Sequence, residues 1–399
     1  MKQTKILFLI VFSLLGLVLA SCIPGGSQPA QGWAGTVFYD DILYVGSMDG
    51  KVMAVNSSTR NLEWSYTIAV PSGGGGISCG QTPASAAIYG TPAVDGDLVY
   101  VGTYNGRVMA LSTLARSQDL PFPQKRNEEW EWVCPGTSPT VGGIVGSPVV
   151  REDAIYVTSS NGSVYSLDKE TGDPNWKPED IPVLSEKLWT TPVVEGDVIY
   201  VSTFDGHIYT LSTEAGNLLP WNFEAEVGFV SSPMLYEDTI FVGSFNHELY
   251  AIKIGSDKPL WKFSPPGGNW FWATTVVKDG VVYAGCLDGK IYAITAETGE
   301  QLWGFDTESP IVSSPVLVDD LLVVANEAGG VYVFDTNVKP NDKAMMPVKS
   351  ISIDVPVRGS LCVQEGVVYV RAQDNCLYAL DIEKGWINWK LPLTIKKES

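Results

Sequence analysis

Residues 281–305 read VVYAGCLDGKIYAITAETGEQLWGF. An apolar run reaches an Asp-Gly pair, an alternating run follows, and a Thr-Gly pair then leads to Trp303. Asp-Gly between alternating apolar stretches is the strongest short-range hairpin signal, because the tight turn needs residues that tolerate positive φ. The stretch therefore predicts two antiparallel strands, a second turn and a third strand carrying the Trp. The same order returns as ILYVGSMDGKVMAVNSSTRNLEW (42–64), LVYVGTYNGRVMALS (98–112), AIYVTSSNGSVYSLDKETGDPNW (154–176), VIYVSTFDGHIYTLSTEAGNLLPW (198–221) and TIFVGSFNHELYAIKIGSDKPLW (239–261). A degenerate LLVVANEAGGVYVFD (321–335) and a final VVYVRAQDNCLYALDIEKGWINW (367–389) bring the count to eight copies, about 41 to 56 residues apart.

A further short apolar run precedes the copies, as in SPVVR (147–151), TPVVE (191–195) and SSPVLVDD (313–320). One unit is thus four strands, A to D, with the Asp-Gly or Asn-Gly turn between B and C. A sheet of this size cannot bury both of its faces. Eight of them stacked about an axis bury one another and leave only short protected edges. The fold class expected is all-β, an eight-bladed β-propeller of four-stranded antiparallel blades spanning residues 33–392. An open solenoid is the competing arrangement, but solenoid repeats of this length are usually helical or single-stranded.

The N-terminus reads MKQTKILFLIVFSLLGLVLASCIPGG. Lys2 and Lys5 precede an apolar core too short to span a bilayer, and small residues follow it, which is the layout of a secretory signal over residues 1–21. Leu19-Ala20-Ser21-Cys22 resembles the lipobox of bacterial lipoproteins. That resemblance implies cleavage before Cys22 and acylation of its thiol, whose chains would hold the protein on a bilayer. Ile23, where an Asp would mark inner-membrane retention in enteric bacteria, favours the outer membrane of a two-membrane host. Residues 22–32 are a Pro/Gly/Ser/Gln tether with too little apolar surface to fold, and 393–399 form a charged tail. The net charge of −19 is spread over turns and disfavours nucleic acid as a partner.

AITAETGEQLW (293–303), with its variants SLDKETGDPNW (166–176) and ALDIEKGWINW (379–389), resembles the tryptophan-docking motif of PQQ-type, quinoprotein-like propeller repeats. The resemblance implies that Trp64, Trp176, Trp221, Trp261, Trp303 and Trp389 pack between neighbouring blades as structural residues. In the second unit Trp130 or Trp132 takes this role, and the seventh has no such Trp. Among proteins with this repeat, PQQ-dependent dehydrogenases would need adjacent cysteines over the quinone, a stacking Trp, and a Glu/Asn/Asp calcium set with a catalytic Asp. The six cysteines stand at 22, 79, 134, 286, 362 and 376, with no adjacent pair. No PQQ, calcium or other metal is expected, and no catalytic residue. The lipobox, eight units and length together resemble BamB-like lipoproteins of outer-membrane-protein assembly, which implies a non-catalytic scaffold.

The remaining candidates are structural. His207 and His247 fall at B–C turns, with no H-x-x-x-H or C-x-x-C pattern to make them zinc ligands. Asp49, Asp205, Asp288 and Asp374 are explained by turn chemistry, and PSGGGGISCG (71–80) lacks the Gly-Lys-Ser/Thr of a phosphate loop. Cys79 and Cys134 occupy equivalent insertions on neighbouring units and are the candidate disulfide, while Cys286, Cys362 and Cys376 are packed thiols.

Aligning the residue just before each strand A gives Trp33, Tyr89, Val145, Trp189, Val230, Trp272, Val312 and Arg358. These are expected to ring one mouth of the axial funnel, with Trp270 and Phe271 beside them. Aromatics with an Arg are the usual anchors of binding surfaces; packing between blades is the competing role. An exposed ring predicts a face for a peptide, a protein loop or a glycan. Two functions stand: a monomeric membrane-anchored scaffold that docks other envelope proteins, β-barrel or secreted, or a propeller whose funnel holds a small ligand as oxidoreductase or sensor.

Overall fold

The computed structural model describes residues 34–47, 50–68, 87–114, 129–135, 142–184, 187–339 and 345–393. Their strands form eight antiparallel sheets in a ring, an eight-bladed β-propeller. Blade 6, which contains residues 281–305, has strands A to D at Val276–Lys278, Val281–Gly285, Lys290–Thr295 and Gln301–Asp306. Seven blades carry all four strands. In blade 3 the fourth is reduced to a bridge between Leu167 and Pro174, followed by a 3-10 turn at Pro178–Asp180.

Strand B explains why the ring must close. Its side chains alternate between faces, and in blade 1 Tyr44 packs toward blade 2 while Leu43 and Val45 pack toward blade 8. Buried apolar side chains gather into eight clusters, one per pair of neighbouring blades, and the last joins Leu43, Val45 and Met53 of blade 1 to Tyr369, Leu377 and Ala379 of blade 8. A closed wheel, rather than an open row, follows from that cluster. No strand is exchanged across the seam, since blade 1 uses only Thr36–Thr67 and blade 8 only Cys362–Pro392.

The docking tryptophans staple one blade to the next. Trp64, Trp130, Trp176, Trp221 and Trp261 donate their indole N–H to the carbonyls of Thr113, Lys169, Thr213, Ser256 and Ala296, each in the following blade, at 2.8 to 3.4 Å. Trp130, not Trp132, fills the place in blade 2. A small residue on strand C makes room: Ala54, Ala293 and Ala379 lie directly across from Trp64, Trp303 and Trp389. In blade 7 the place opposite Val333 is taken by Lys349, whose stem lies against Gly385 of blade 8. The six-membered ring of Trp176 lies over Gly216 of blade 4, where a Cβ would stand 2.5 Å from the indole. Gly216 also has φ +73°, so its identity is required twice.

A second belt runs around the hub. The backbone N–H of Thr91 donates to the Ser147 hydroxyl, Ser147 to Thr191, and Thr191 to Ser232, each at 2.9 Å, and Thr274 donates likewise to Ser314 at 3.1 Å. Each hydroxyl comes from the Ser/Thr that opens strand A of the following blade, usually as Ser-Pro or Thr-Pro. Burial would otherwise leave these amides unpaired at a cost of about 1–3 kcal/mol each.

Replacing Gly216 by Ala should therefore destabilise the fold by about 2 kcal/mol or more, from positive-φ strain plus displacement of Trp176. Gly196→Ala, at φ +52° with nothing within 4 Å of the new Cβ, should cost only the backbone strain of about 1 kcal/mol. Urea denaturation of both variants measures the difference.

Candidate functional site

The segment before strand A is clamped between two blades, and this sets which of its residues can reach solvent. Residue by residue, Ile88, Ile144, Leu188, Phe229, Phe271, Ile311 and Val357 are completely buried. Their amides, in six of the seven, donate to the B–C turn of the preceding blade, as Ile144 does to Thr103 at 2.9 Å and Phe229 to Thr203 at 3.0 Å. The position before each strand A that the alignment picked comes one residue later. There Tyr89, Val145, Trp189, Trp272, Val312 and Arg358 are half-buried, and Val230 is buried. Trp33 lies outside the described residues. Phe271 is corrected: it belongs to the buried register, packed on Trp261 and Tyr292 between blades 5 and 6, and is no part of a mouth.

Trp270, by contrast, joins a surface cluster. Trp189 meets Phe204 edge-on at 5.5 Å, Phe204 meets Phe245 at 5.5 Å, and Phe245 meets Trp270 at 5.9 Å, with His247 a further 5.8 Å neighbour of Trp270. These form one continuous arc over blades 4 to 6. A second pair, Tyr89 and Tyr104, sits on blade 2 at 5.3 Å, where burial and then the Tyr104 phenol push the Tyr89 phenol up. On blades 7 and 8, Arg358 Nε donates to Glu327 Oε1 at 2.5 Å, closing the ring with charge rather than aromatic surface.

Tyr104, Phe204 and Phe245 were legible but unread. Each occupies the second position of the B–C turn, in TYNG, TFDG and SFNH. An aromatic at a turn tip has no packing duty inside its own sheet, which is the signal. The indole Nε1 of Trp189 is buried without a hydrogen-bond partner, a donor inside an otherwise apolar arc.

The turn acids are spoken for. Asp288 accepts from the Lys290 amide and the Tyr292 hydroxyl, at 3.0 and 2.6 Å, and Asp374 from the Cys376 amide and the Tyr378 hydroxyl, at 3.1 and 2.7 Å. His247 takes the positive-φ turn place usually held by Gly, at φ +68°, and His207 stacks on Tyr209 at 5.0 Å. Asp49 lies outside the described residues. Gly76-Ile77-Ser78-Cys79-Gly80, which has the letters of a nucleophile elbow, lies outside the described residues.

Cys134 is a free, buried thiol beside Ser159 and Asn161, at 3.4 Å from each. Its expected partner, Cys79, lies outside the described residues. Cys286, Cys362 and Cys376 are also free, the last two on strands A and C of blade 8. Burial raises all four thiols, Cys362 and Cys376 to about 11.

Comparison with known proteins fits this geometry. The profile of the family described as Outer membrane protein assembly factor BamB matches residues 24–178, 123–262 and 246–338. The chain belongs to the BamB family. It is 26% identical to the BamB of Legionella pneumophila (strain Paris) over 145 residues, 36% of this chain and 32% of that protein, so the match spans about a third of the relative. The crystal structure of BamB from Moraxella catarrhalis shares the fold at TM-score 0.61 and 16% identity, covering 86% of this chain and 91% of that one. A quinohemoprotein alcohol dehydrogenase of Pseudomonas putida is 26% identical over 113 residues, a quarter of this chain and 16% of the enzyme. The donor set does not fit that enzyme's chemistry. No two cysteines are adjacent, and among the described residues no three His, Cys, Asp or Glu side chains gather as a metal site.

The raised thiols give a test of this description. A raised pKa leaves less thiolate at a given pH, so at pH 8 alkylation of Cys362 and Cys376 in the native protein should be about a hundredfold slower than after unfolding. Mass spectrometry of iodoacetamide-treated native and urea-unfolded protein reads the ratio.

Proposed function

We propose that this BamB-family propeller is a non-catalytic, lipid-anchored scaffold of the bacterial envelope that docks other envelope proteins through the aromatic face of blades 4 to 6. The observation that supports the reading most is the arc from Trp189 through Phe204 and Phe245 to Trp270, half-buried aromatics in mutual contact at the B–C turns and the segments before strand A. Aromatic side chains give large contact area at little entropic cost, and binding energy concentrates on such anchors. Arg358 and Glu327 mark the polar rim.

Relatives named as outer membrane protein assembly factors favour a β-barrel or its assembly machinery as the partner class. Cys22, at the end of the lipobox, would carry the acyl anchor that holds the ring beside the outer membrane of a two-membrane host. The acidic charge of −19 keeps it off phosphate-bearing partners. No cofactor enters this reading. The competing one, a quinone or metal in the funnel, rests on the dehydrogenase similarity over a quarter of the chain.

Cross-linking on intact envelopes, followed by affinity capture of the tagged full chain, should recover a partner. Trp189→Ala with Phe245→Ala should weaken its capture by about tenfold or more, with the far-UV and near-UV spectra of the propeller retained. Capture that is unchanged in the double variant, or a stoichiometric chromophore or calcium in protein purified from its native envelope, overturns the reading.

A further inference from the structure

A groove of about 570 Å³ opens at the seam between blades 8 and 1, on the face opposite the aromatic arc. Blade 1 lines it with Phe38, Asp40, Asp41, Ser57 and Arg60, and blade 8 with Glu365, Tyr369 and Trp389, among others. Its existence has a local cause. The turn between strands C and D holds a positive-φ residue whose amide bonds back four residues, Gly172 to Asp168 and Gly216 to Ser212. The preceding blade's Trp lies on that glycine, closer than any Cβ would allow. In blade 1 the same place, with the same bond to Asn56, is Arg60 at φ +62°. Arg60 has a Cβ, so Trp389 cannot seat there. Trp389 stays half-buried, as does Trp221, whereas Trp64, Trp130, Trp176, Trp261 and Trp303 are buried.

What the groove would take is shown by the same corner elsewhere in the ring. Between blades 2 and 3 the Lys169 ammonium sits at 2.9 Å from Asp95 and 3.6 Å from Asp153, bridging the A–B turns of both blades. Asp238 and Asp320, at the place of Asp153 in blades 5 and 7, also hold a lysine, Lys253 and Lys278. At the seam Asp41 keeps the place of Asp153, with Asp40 beside it; the place of Asp95 is Gln364, with Glu365 next to it in the turn, and the residue at the Lys169 position is Ser57. No ion pair among the described residues reaches Asp40, Asp41, Glu365 or Arg60. The balance is three carboxylates to one guanidinium. The wall is aromatic, Phe38 stacked on Tyr369 and Tyr369 against Trp389, both at 5.9 Å. Tyr369 is over nine-tenths buried. Burial raises its phenol, a bond with Ser57 pulls it back, and Cys362, then Glu365 and Asp41, push it up again. Ammonium over tyrosine is a pairing this ring already uses, Lys262 on Tyr250 at 4.6 Å and Lys390 on Tyr378 at 4.9 Å.

We propose that the seam groove is a binding site for a primary ammonium on an aliphatic stem, which takes the place that Lys169 fills between blades 2 and 3. The ammonium would lie between Asp41 and Glu365, with its stem along Tyr369 and Trp389. The group could come from a lysine side chain of a peptide or from a free polyamine.

Isothermal titration of the full chain at low ionic strength, with spermidine and separately with Nα-acetyl-lysine N-methylamide, tests this. Saturable one-site binding of both, or of either alone, supports the site, and the probe that binds names the source. Two variants separate a built site from general attraction to an acidic protein. Ser57→Lys supplies the missing ammonium internally and should reduce affinity for either probe by about tenfold or more, with the melting temperature held or raised. Arg60→Gln removes the opposing charge but keeps the Cβ that holds the groove open, and should tighten binding several-fold. Diffuse binding to a surface of net charge −19 would barely register either single change. Absence of saturable binding to the unmodified protein, or equal binding to the Ser57→Lys variant, overturns the proposal.

Discussion

Several interfaces in this ring rest on one kind of contact: a side chain of one blade set down where its neighbour has no Cβ. Trp176 over Gly216 is the outer version. Ile144 against Gly102 is the inner one, where a Cβ on the glycine would come within 2.4 Å of the isoleucine. Between them lie the strands B and C, whose apolar faces are buried only because both ends are fixed. Burying a Leu or Val side chain is worth about 1.5–3 kcal/mol, but only at full contact. The glycines let the blades approach closely enough to reach it, and the hydroxyl belt from Thr91 to Ser232 keeps the cost of that approach low at the hub, where backbone amides lose water.

Rigid staples at both radii leave the turns to carry specificity. The two faces of the ring differ for this reason. One bears the B–C turns and the segments before strand A, where Tyr104, Phe204, Phe245, Trp189 and Trp270 gather. The other bears the A–B turns, where positive φ falls repeatedly on acids such as Asp40, Asp41, Glu152, Glu237, Asp279, Asp319 and Glu365. Short acidic side chains tolerate that region better than bulky or β-branched ones, so turn geometry and solubility choose the same residues. Seven acids of the chain thus sit at positive φ in the A–B turns of six blades, with Gly96 and Gly196 in that place in blades 2 and 4.

The architecture was legible because it is written eight times. Period, hairpin pairs and the Trp-bearing strand all repeat, and each repetition corrects the noise of the others. What failed to read were departures from the repeat. Phe271 looked like its neighbours Trp270 and Trp272 because three aromatics in a row hide the alternation; one residue of register moves a side chain from solvent to the interior. The choice between Trp130 and Trp132 stayed open for the same reason, both being on one strand face, and only the position across from Ala110 decides it. Blade 3 lost its fourth strand where Pro174 and Pro178 remove backbone donors. The stem of Lys349 in the place of a Trp had no precedent in the other seven units, and nothing in its own sequence marks a lysine that snorkels over a glycine.

Three departures share one sector of the ring. Lys349, Arg371 and Arg60 all fall in the sector of blades 7, 8 and 1. Arg371, buried at 8% exposure, stands at the end of strand B where blades 1, 2, 5 and 6 have Gly46, Gly102, Gly243 and Gly285. Each regular interface joins segments adjacent in sequence, so one repeat can encode both halves of it. The seam joins the first blade to the last, so its halves are encoded some three hundred residues apart, and either can change if the other compensates. Closure without a shared strand makes that freedom possible, because only side chains have to agree. The same freedom lets a groove open at the seam, where no single repeat has to encode both walls.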